Sequence, residues 1–243
     1  MHVHVRGGLG FQILGLIGAM SESIANCDPI SEVTLNFGHY PNAPIYGEKF
    51  KYDRNYLSEI FDLPFPVITQ IGTEKYSFFR PLVIARVIRH LPAIREALSL
   101  KKTSYANSGH YHKTVVHVRH LDRHIVSHET YCHVMAVNPG CFIMTDDYES
   151  ALYKFPGIPV SHNQEIDDWC NLARNIETRT VIGGVSSFTI SAALLNPLLD
   201  LRIVSRDNSI EGPLTETDWE SVRLLTELVP NISFAPSLSE NRQ

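Results

Sequence analysis

Short apolar runs alternate with longer amphipathic stretches at the start of the chain. Residues 2–6 (HVHVR) alternate in polarity and predict a strand, and 7–10 (GGLG) follow as a turn. An apolar stretch with helical character, 11–27, leads to a second strand at 32–38. This order predicts a βαβ unit with parallel strands and a right-handed crossover.

The following stretch is less regular. Residues 39–80 are rich in Tyr, Pro and Phe and show broken periodicity, with one short helix predicted at 54–61. Residues 81–100 predict a helix that Pro92 kinks or breaks in two, because proline cannot donate the helical hydrogen bond.

A polar segment without periodicity, 101–113 (KKTSYANSGHYHK), marks the best boundary between domains. We place the boundary near residue 108. The prediction is an N-terminal α/β lobe at 1–108 and a C-terminal α/β lobe at 109–243.

The second half repeats the strand and helix pattern of the first. Its predicted strands are 114–118, 141–145, 158–161, 180–184 and 201–205. Its predicted helices are 128–138, 165–175, 187–197 and 215–229. The fold class expected is therefore α/β, with two lobes built on mostly parallel sheets whose ligands bind at the carboxyl ends of the strands.

Composition narrows the classes of function. The chain has 243 residues, is 44% hydrophobic and carries a formal charge of −5, which argues against a nucleic-acid-binding protein. The four cysteines are scattered and form no CxxC pair, as in a reduced, cytoplasmic protein. No apolar run approaches the ~20 residues of a membrane span, and no signal sequence precedes the first strand, so the protein is expected to be soluble or at most peripheral to a membrane.

The glycine-rich turn after the first strand does not fit a dinucleotide site. Gly8 and Gly10 are followed by Ile13 where a third glycine should stand, and the second strand ends at Asn36 rather than at a carboxylate. A tight turn and a turn that lets a phosphate or sugar approach the helix are equally compatible with these residues.

Histidines and aspartates raise the question of a metal. His120, His124 and His128 have helical spacing, but the segment reads as a loop, and a metal site would also need carboxylates in register, so no metal is expected. Asp146 and Asp147 are adjacent at a strand end and point in opposite directions. One is expected to face the cleft and the other to cap or pair locally.

The most informative residues are an arginine and two serines that follow the ends of two predicted strands. Arg119 follows the strand at 114–118, and Ser186 and Ser187 begin the helix after the strand at 180–184. A guanidinium beside a helix N-terminus is an anion site, more apt for a diphosphate than for a carboxylate.

These segments, taken in order, resemble the motifs of the α1,2-fucosyltransferase family over nearly the whole chain. The matching segments are GGLGFQ (7–12, GGLGNQ in the family), HVRHLDR (117–123, HxRRGDY), ETYCHVMA (129–136, YYxxA), MTDD (144–147, SDD) and the block at 167–196 that contains VSSF. The resemblance implies a GT-B architecture of two Rossmann-like lobes, the N-terminal one trimmed. It also implies a GDP-sugar donor bound mainly by the C-terminal lobe, with no cofactor and no required metal.

The resemblance also implies site residues. Arg119 would contact the donor diphosphate. We expect Asp122 and His120 to act with Arg119 in catalysis. The other donor-binding positions that it implies are His117, Ser186, Ser187 and Phe188 from the C-terminal lobe, with Asp167 or Asp168 near the base or ribose, and Gly8, Gly10 and Gln12 from the N-terminal lobe. We add Arg123, Asp147 and Asp168 as candidates for donor binding. Departures from the motif, such as His120 in place of a second arginine, leave the donor sugar and the acceptor open.

The function expected is an inverting transfer of a sugar, fucose from GDP-fucose first of all, to a hydroxyl of a glycan acceptor. A transferase that uses another nucleotide sugar stays open. So does a degenerate relative that binds a nucleotide or glycan without catalysis. Asp122, Asp147 and His120 are the candidates for a general base.

Overall fold

A computed structural model describes residues 1–37, 54–72, 74–101, 114–119, 126–162, 165–174, 178–204 and 215–235. The strands in these ranges are β1 (His2–Arg6), β2 (Glu32–Phe37), β3 (Val67–Ile71), β4 (Thr114–Val118), β5 (Phe142–Thr145), β6 (Thr180–Gly183), β7 (Asp200–Ile203) and β8 (Ile232–Phe234). The helices are α1 (Leu9–Asn26), α2 (Tyr56–Ile60), α3 (Pro81–Ala97), α4 (His128–Val137), α5 (Tyr148–Lys154), α6 (Glu165–Arg174), α7 (Ser187–Leu195) and α8 (Glu216–Leu228). The predicted α/β class is confirmed, with two parallel sheets of the kind found in Rossmann-like lobes.

The chain divides into two compact units. The first unit comprises Met1–Thr103 and Thr215–Leu228, and the second comprises Ser104–Leu214 and Val229–Gln243. The boundary predicted at residue 108 falls in 102–113, outside the described residues. Helix α8 belongs to the first unit, where it packs against α3, although the sequence reading assigned it to the C-terminal lobe.

The first unit is built on a parallel sheet of order β1-β2-β3. Strands β1 and β2 flank α1 in sequence and pair in parallel, which confirms the predicted βαβ unit. Gly15 of α1 lies against Val5 of β1, where an added Cβ would stand 3.1 Å from a valine methyl. Strand β3, which lies at one edge of the sheet, was not predicted, because its residues are mostly exposed and the sequence lacks a clear apolar run.

Helix α3 runs through Pro92 as one element, so of the two predicted outcomes, a kink or a break, the break into two helices is not found. Pro81 occupies the first turn, where a missing N–H group is tolerated. Pro92 is exposed, whereas Leu91 and Ile94 on either side of it are buried. We attribute the continuity of the helix to this packing on both sides of the proline.

The second unit is built on a parallel sheet of order β5-β4-β6-β7-β8. From β4 the chain moves to one side of the sheet to form β5 and then returns to the other side to form β6. In open α/β sheets, ligands bind at the carboxyl ends of the strands where the order reverses in this way. The second unit therefore has its switch point between β4 and β6.

Details of the second unit differ from the sequence prediction. Helix α5 and strand β8 were not predicted, and the strand predicted at 158–161 is reduced to one bridge, between Ile143 and Val160. Among the described residues, no helix has the length and apolar character that crossing a membrane requires.

Candidate functional site

The switch point brings two predicted site segments to one edge of the sheet. His117 of β4 stands in register with Gly183 of β6, so Arg119 and Ser186 follow the ends of adjacent strands. We define the strand-end cluster as His117, Arg119, Asp146, Ser186 and Phe188. The backbones of β4 and β6 lie close together here, because a Cβ on Gly183 would lie 2.8 Å from the carbonyl oxygen of His117. Glycine is required there by space.

Arg119 lies between the ends of two neighbouring strands. Its Nη1 donates a long hydrogen bond, 3.5 Å, to Oγ of Ser186. Its Nε stands 3.9 Å from Oδ2 of Asp146, which follows β5. The side chains of Arg119 and Asp146 are 23% and 29% exposed, so both are partly accessible to solvent. The predicted approach of Arg119 to Ser186 is thus present in the structure.

Ser186 caps helix α7. Its backbone is extended, and its Oγ accepts a hydrogen bond from the backbone N–H of Phe188 at 3.3 Å. Ser187 opens the helix and is buried. The first N–H groups of a helix lack partners within it, and the helix dipole adds partial positive charge at the same end. Arg119 and the start of α7 therefore present cationic character to the same place.

His117 is a buried histidine whose ring stacks on Phe188. The centroids of the two rings are 5.4 Å apart, and the angle between the ring planes is 5°. Burial, and next the charge of Arg119, lower the pKa of His117 to about 3, so the ring is neutral at pH 7. Within the described part of the chain, its Nδ1 is buried without a hydrogen-bond partner. Such groups are uncommon in proteins and call for an explanation, for example an ordered water, strain or a functional role.

Tyr131 of α4 supports the strand that carries these side chains. Its hydroxyl donates to the carbonyl oxygen of His117 at 3.2 Å, and burial raises the pKa of the phenol. Sequence reasoning did not assign Tyr131 to the site. The signal that could have identified Tyr131 is its place in the helix that follows the strand ending beside Arg119.

The two adjacent aspartates have different roles. Asp147 caps α5, where one oxygen accepts from the N–H of Ser150 at 3.1 Å and the other accepts from its hydroxyl at 2.7 Å. Asp146 stands beside Arg119. The carboxylate at the guanidinium is therefore that of Asp146, whereas the sequence reading assigned Asp147 to the donor site.

Asp168 is a buried carboxylate of α6. The hydroxyl of Ser161 reaches both of its oxygens, at 2.8 and 3.0 Å. This contact fastens α6 to the segment after the Val160 bridge. The predicted role of Asp168 near the nucleoside stays a prediction.

The predicted residues of the first unit form a closed turn. Gly8 precedes α1 and Gly10 is buried in its first turn, while the amide of Gln12 binds backbone on both sides. Gln12 Nε2 donates to the carbonyl oxygens of Gly7 and Arg54, both at 2.9 Å, and its Oε1 accepts from the N–H of Tyr56 at 3.2 Å. The donor-binding role of these three residues stays a prediction.

The remaining predicted residues cannot be placed. His120, Asp122 and Arg123 lie outside the described residues, as does His124 of the histidine series. In the ranges that are described, no group of three or more His, Cys, Asp or Glu side chains could hold a metal ion.

Comparison with known proteins identified no relative of this chain. No family profile, no curated protein sequence and no solved structure matches the chain. The function must therefore be argued from the strand-end cluster itself.

Proposed function

We propose that this protein is an inverting glycosyltransferase of GT-B architecture that transfers a sugar, fucose from GDP-fucose first of all, to a hydroxyl group of a glycan. The observation that carries the proposal is the meeting of Arg119 and the start of α7 at the switch point of the second sheet. Small-molecule ligands of open α/β sheets bind at such points.

The charge of the cluster suits a diphosphate. A guanidinium offers paired N–H donors to phosphate oxygens, and the first turn of α7 adds backbone donors and dipole. His117 contributes no positive charge, because burial keeps its ring neutral at pH 7. Its ring, stacked on Phe188, forms a neutral side of the cluster next to the guanidinium.

In the proposed reaction, an acceptor oxygen attacks the anomeric carbon from the face opposite the diphosphate. The bond between the anomeric carbon and the diphosphate oxygen breaks, and its electron pair remains on the leaving nucleoside diphosphate. The acceptor proton passes to a base, for which His120, Asp122 and Asp147 are the predicted candidates. Arg119 and the α7 start stabilise the negative charge that grows on the leaving group.

A thermal-shift panel of GDP, UDP, NAD and the corresponding nucleotide sugars tests the donor class. A ligand at ~100 times its dissociation constant raises the free energy of unfolding by about 2.7 kcal/mol, which the assay resolves. We expect a shift with GDP and GDP-fucose, and none with UDP or NAD. A shift with NAD alone would contradict the proposal.

The same panel, together with an assay of GDP release, separates the open alternatives. A shift with UDP-sugars instead would indicate a transferase with another donor. Binding of GDP without release of GDP from GDP-fucose in the presence of any glycan acceptor would indicate a binding protein without catalysis.

A further inference from the structure

We propose that Asp146 is a built-in counter-ion that competes with the ligand's phosphates for Arg119 and so weakens anion binding at the strand-end cluster. The inference rests on the proposed function, because it concerns the same diphosphate site. It adds a residue that the sequence reading did not assign and a direction of effect that is unusual for a residue of a binding site.

The register of β4 and β5 places Asp146 beside Arg119, where the carboxylate can compete with a bound phosphate for the guanidinium. Val118 of β4 pairs with Thr145 of β5, so the residue after each strand, Arg119 and Asp146, stands at the same edge. Strand β6 lies on the other side of β4 and brings Ser186 to the guanidinium. Arg119 therefore lies between a carboxylate on one side and the helix start on the other.

The contact between Arg119 and Asp146 is electrostatic. The separation of 3.9 Å between Nε and Oδ2 exceeds the reach of a hydrogen bond. The guanidinium can turn toward a phosphate without breaking a hydrogen bond at this contact. Both side chains are partly exposed, so a ligand that approaches Arg119 from solvent also approaches the carboxylate.

Among the described residues, the two polar side chains that neighbour Arg119 besides Asp146 bring no positive charge to the site at pH 7. His117 is neutral at pH 7, because burial and Arg119 lower its pKa to about 3. Ser186 contributes a hydroxyl whose oxygen already accepts from Phe188 N–H. An anion at Arg119 thus meets the repulsion of Asp146, and this repulsion grows with the charge of the anion.

The test measures the affinity of inorganic pyrophosphate, orthophosphate and GDP by isothermal titration calorimetry in magnesium-free buffer. The proteins are the full-length wild type, Asp146→Asn, Glu149→Gln and Arg119→Ala. Glu149 is an exposed residue in the first turn of α5, so Glu149→Gln removes an equal charge nearby without touching Arg119. Should Asp146→Asn fail to fold, Asp146→Ser carries the same expectation.

We expect Asp146→Asn to bind pyrophosphate about three- to tenfold more tightly than wild type, with a smaller gain for orthophosphate, and Glu149→Gln to match wild type. A residue with only a structural role would not produce a gain. Equal or weaker binding by Asp146→Asn, while Arg119→Ala loses the GDP that wild type binds, would overturn the inference and leave the proposed function intact. Absence of binding in every protein would overturn both.

Discussion

The turn after β1 and the strand end after β4 occupy corresponding positions in their units, each at the carboxyl end of a parallel strand and before a helix. The two places differ in whether the buried polar side chain has hydrogen-bond partners within the protein. The amide of Gln12 makes three hydrogen bonds to backbone groups of its own unit. The Nδ1 of His117 is buried and, in the described part of the chain, makes none.

This difference separates a scaffold from a candidate site. A buried amide with all its partners in the protein stabilises the fold and has little left to offer a ligand. A buried nitrogen without a partner lowers stability, and a functional role is one of the reasons for which a protein retains such a group. The pattern therefore favours the strand end at β4 over the glycine-rich turn as the place where the nucleotide binds.

The largest effect is expected from Arg119→Ala. Removing one positioned donor from a site that stabilises transition-state charge reduces turnover by about 100- to 1,000-fold. Arg119→Lys should recover only part of the activity, because an ammonium group lacks the paired donors of a guanidinium. Release of GDP from GDP-fucose in the presence of acceptor measures both variants.

Arg202→Ala is the matched control for that experiment. Arg202 lies on β7 of the same unit and pairs with Asp200 at 2.9 Å, with both side chains about two-fifths exposed. Its loss removes the same charge and should leave turnover near the wild-type value. Near-normal transfer by Arg119→Ala would contradict the role given to that residue.

Gln12→Ala tests the other side of the comparison. The substitution leaves the carbonyl oxygens of Gly7 and Arg54 and the N–H of Tyr56 without their present partner. We expect the free energy of unfolding to fall by ~3 kcal/mol in chemical denaturation. Gln70→Ala, which removes one hydrogen bond on the edge strand β3, should lower it by ~1 kcal/mol or less. Equal losses in the two variants would mean that the turn is not specially held.

His117→Leu tests the unsatisfied imidazole through pH. The pKa of His117 is about 3 in the folded protein and has its ordinary value of 6.5 in the unfolded chain. Below pH 6.5 the imidazole is therefore protonated in the unfolded chain but stays neutral in the folded protein, and stability falls as the pH falls. Between pH 8 and pH 5 the wild type should lose ~2 kcal/mol of stability through this residue, and the leucine variant should not. At pH 8 the two should differ by ~1 kcal/mol or less. Parallel stability profiles for the two proteins would contradict the burial of a neutral ring.

The smallest effect is expected from Tyr131→Phe. The ring and its packing remain, and the hydrogen bond to the carbonyl oxygen of His117 is lost. We expect the free energy of unfolding to fall by ~1 kcal/mol. Tyr153→Phe, at a side chain that is 88% exposed, should not change it measurably. Identical stability of both variants would indicate that the phenol does not hold the end of β4.

The sequence predicted the parts of the site that follow from apolar runs. Strands β4 and β6 are recognisable as short buried segments, and parallel strands bring their carboxyl ends to one edge. From this alone, the approach of Arg119 to Ser186 could be expected. Their separation in sequence is large, but the sheet places them side by side.

Other features depend on contacts that a pattern does not reveal. Which aspartate faces Arg119 depends on where α5 begins, because the residue before that helix becomes its cap. The place of α8 in the first unit depends on the surface of α3 that it covers, and an amphipathic pattern names no partner. The unpaired state of His117 Nδ1 emerges only from the packed structure.

The most direct measurement is a crystal structure of the protein with GDP. The account predicts that the diphosphate lies within hydrogen-bond distance of the Arg119 guanidinium and of the first N–H groups of α7, beside the His117 ring. A nucleotide seated instead on the glycine-rich turn before α1, with Arg119 still facing Asp146 and Ser186, would contradict it.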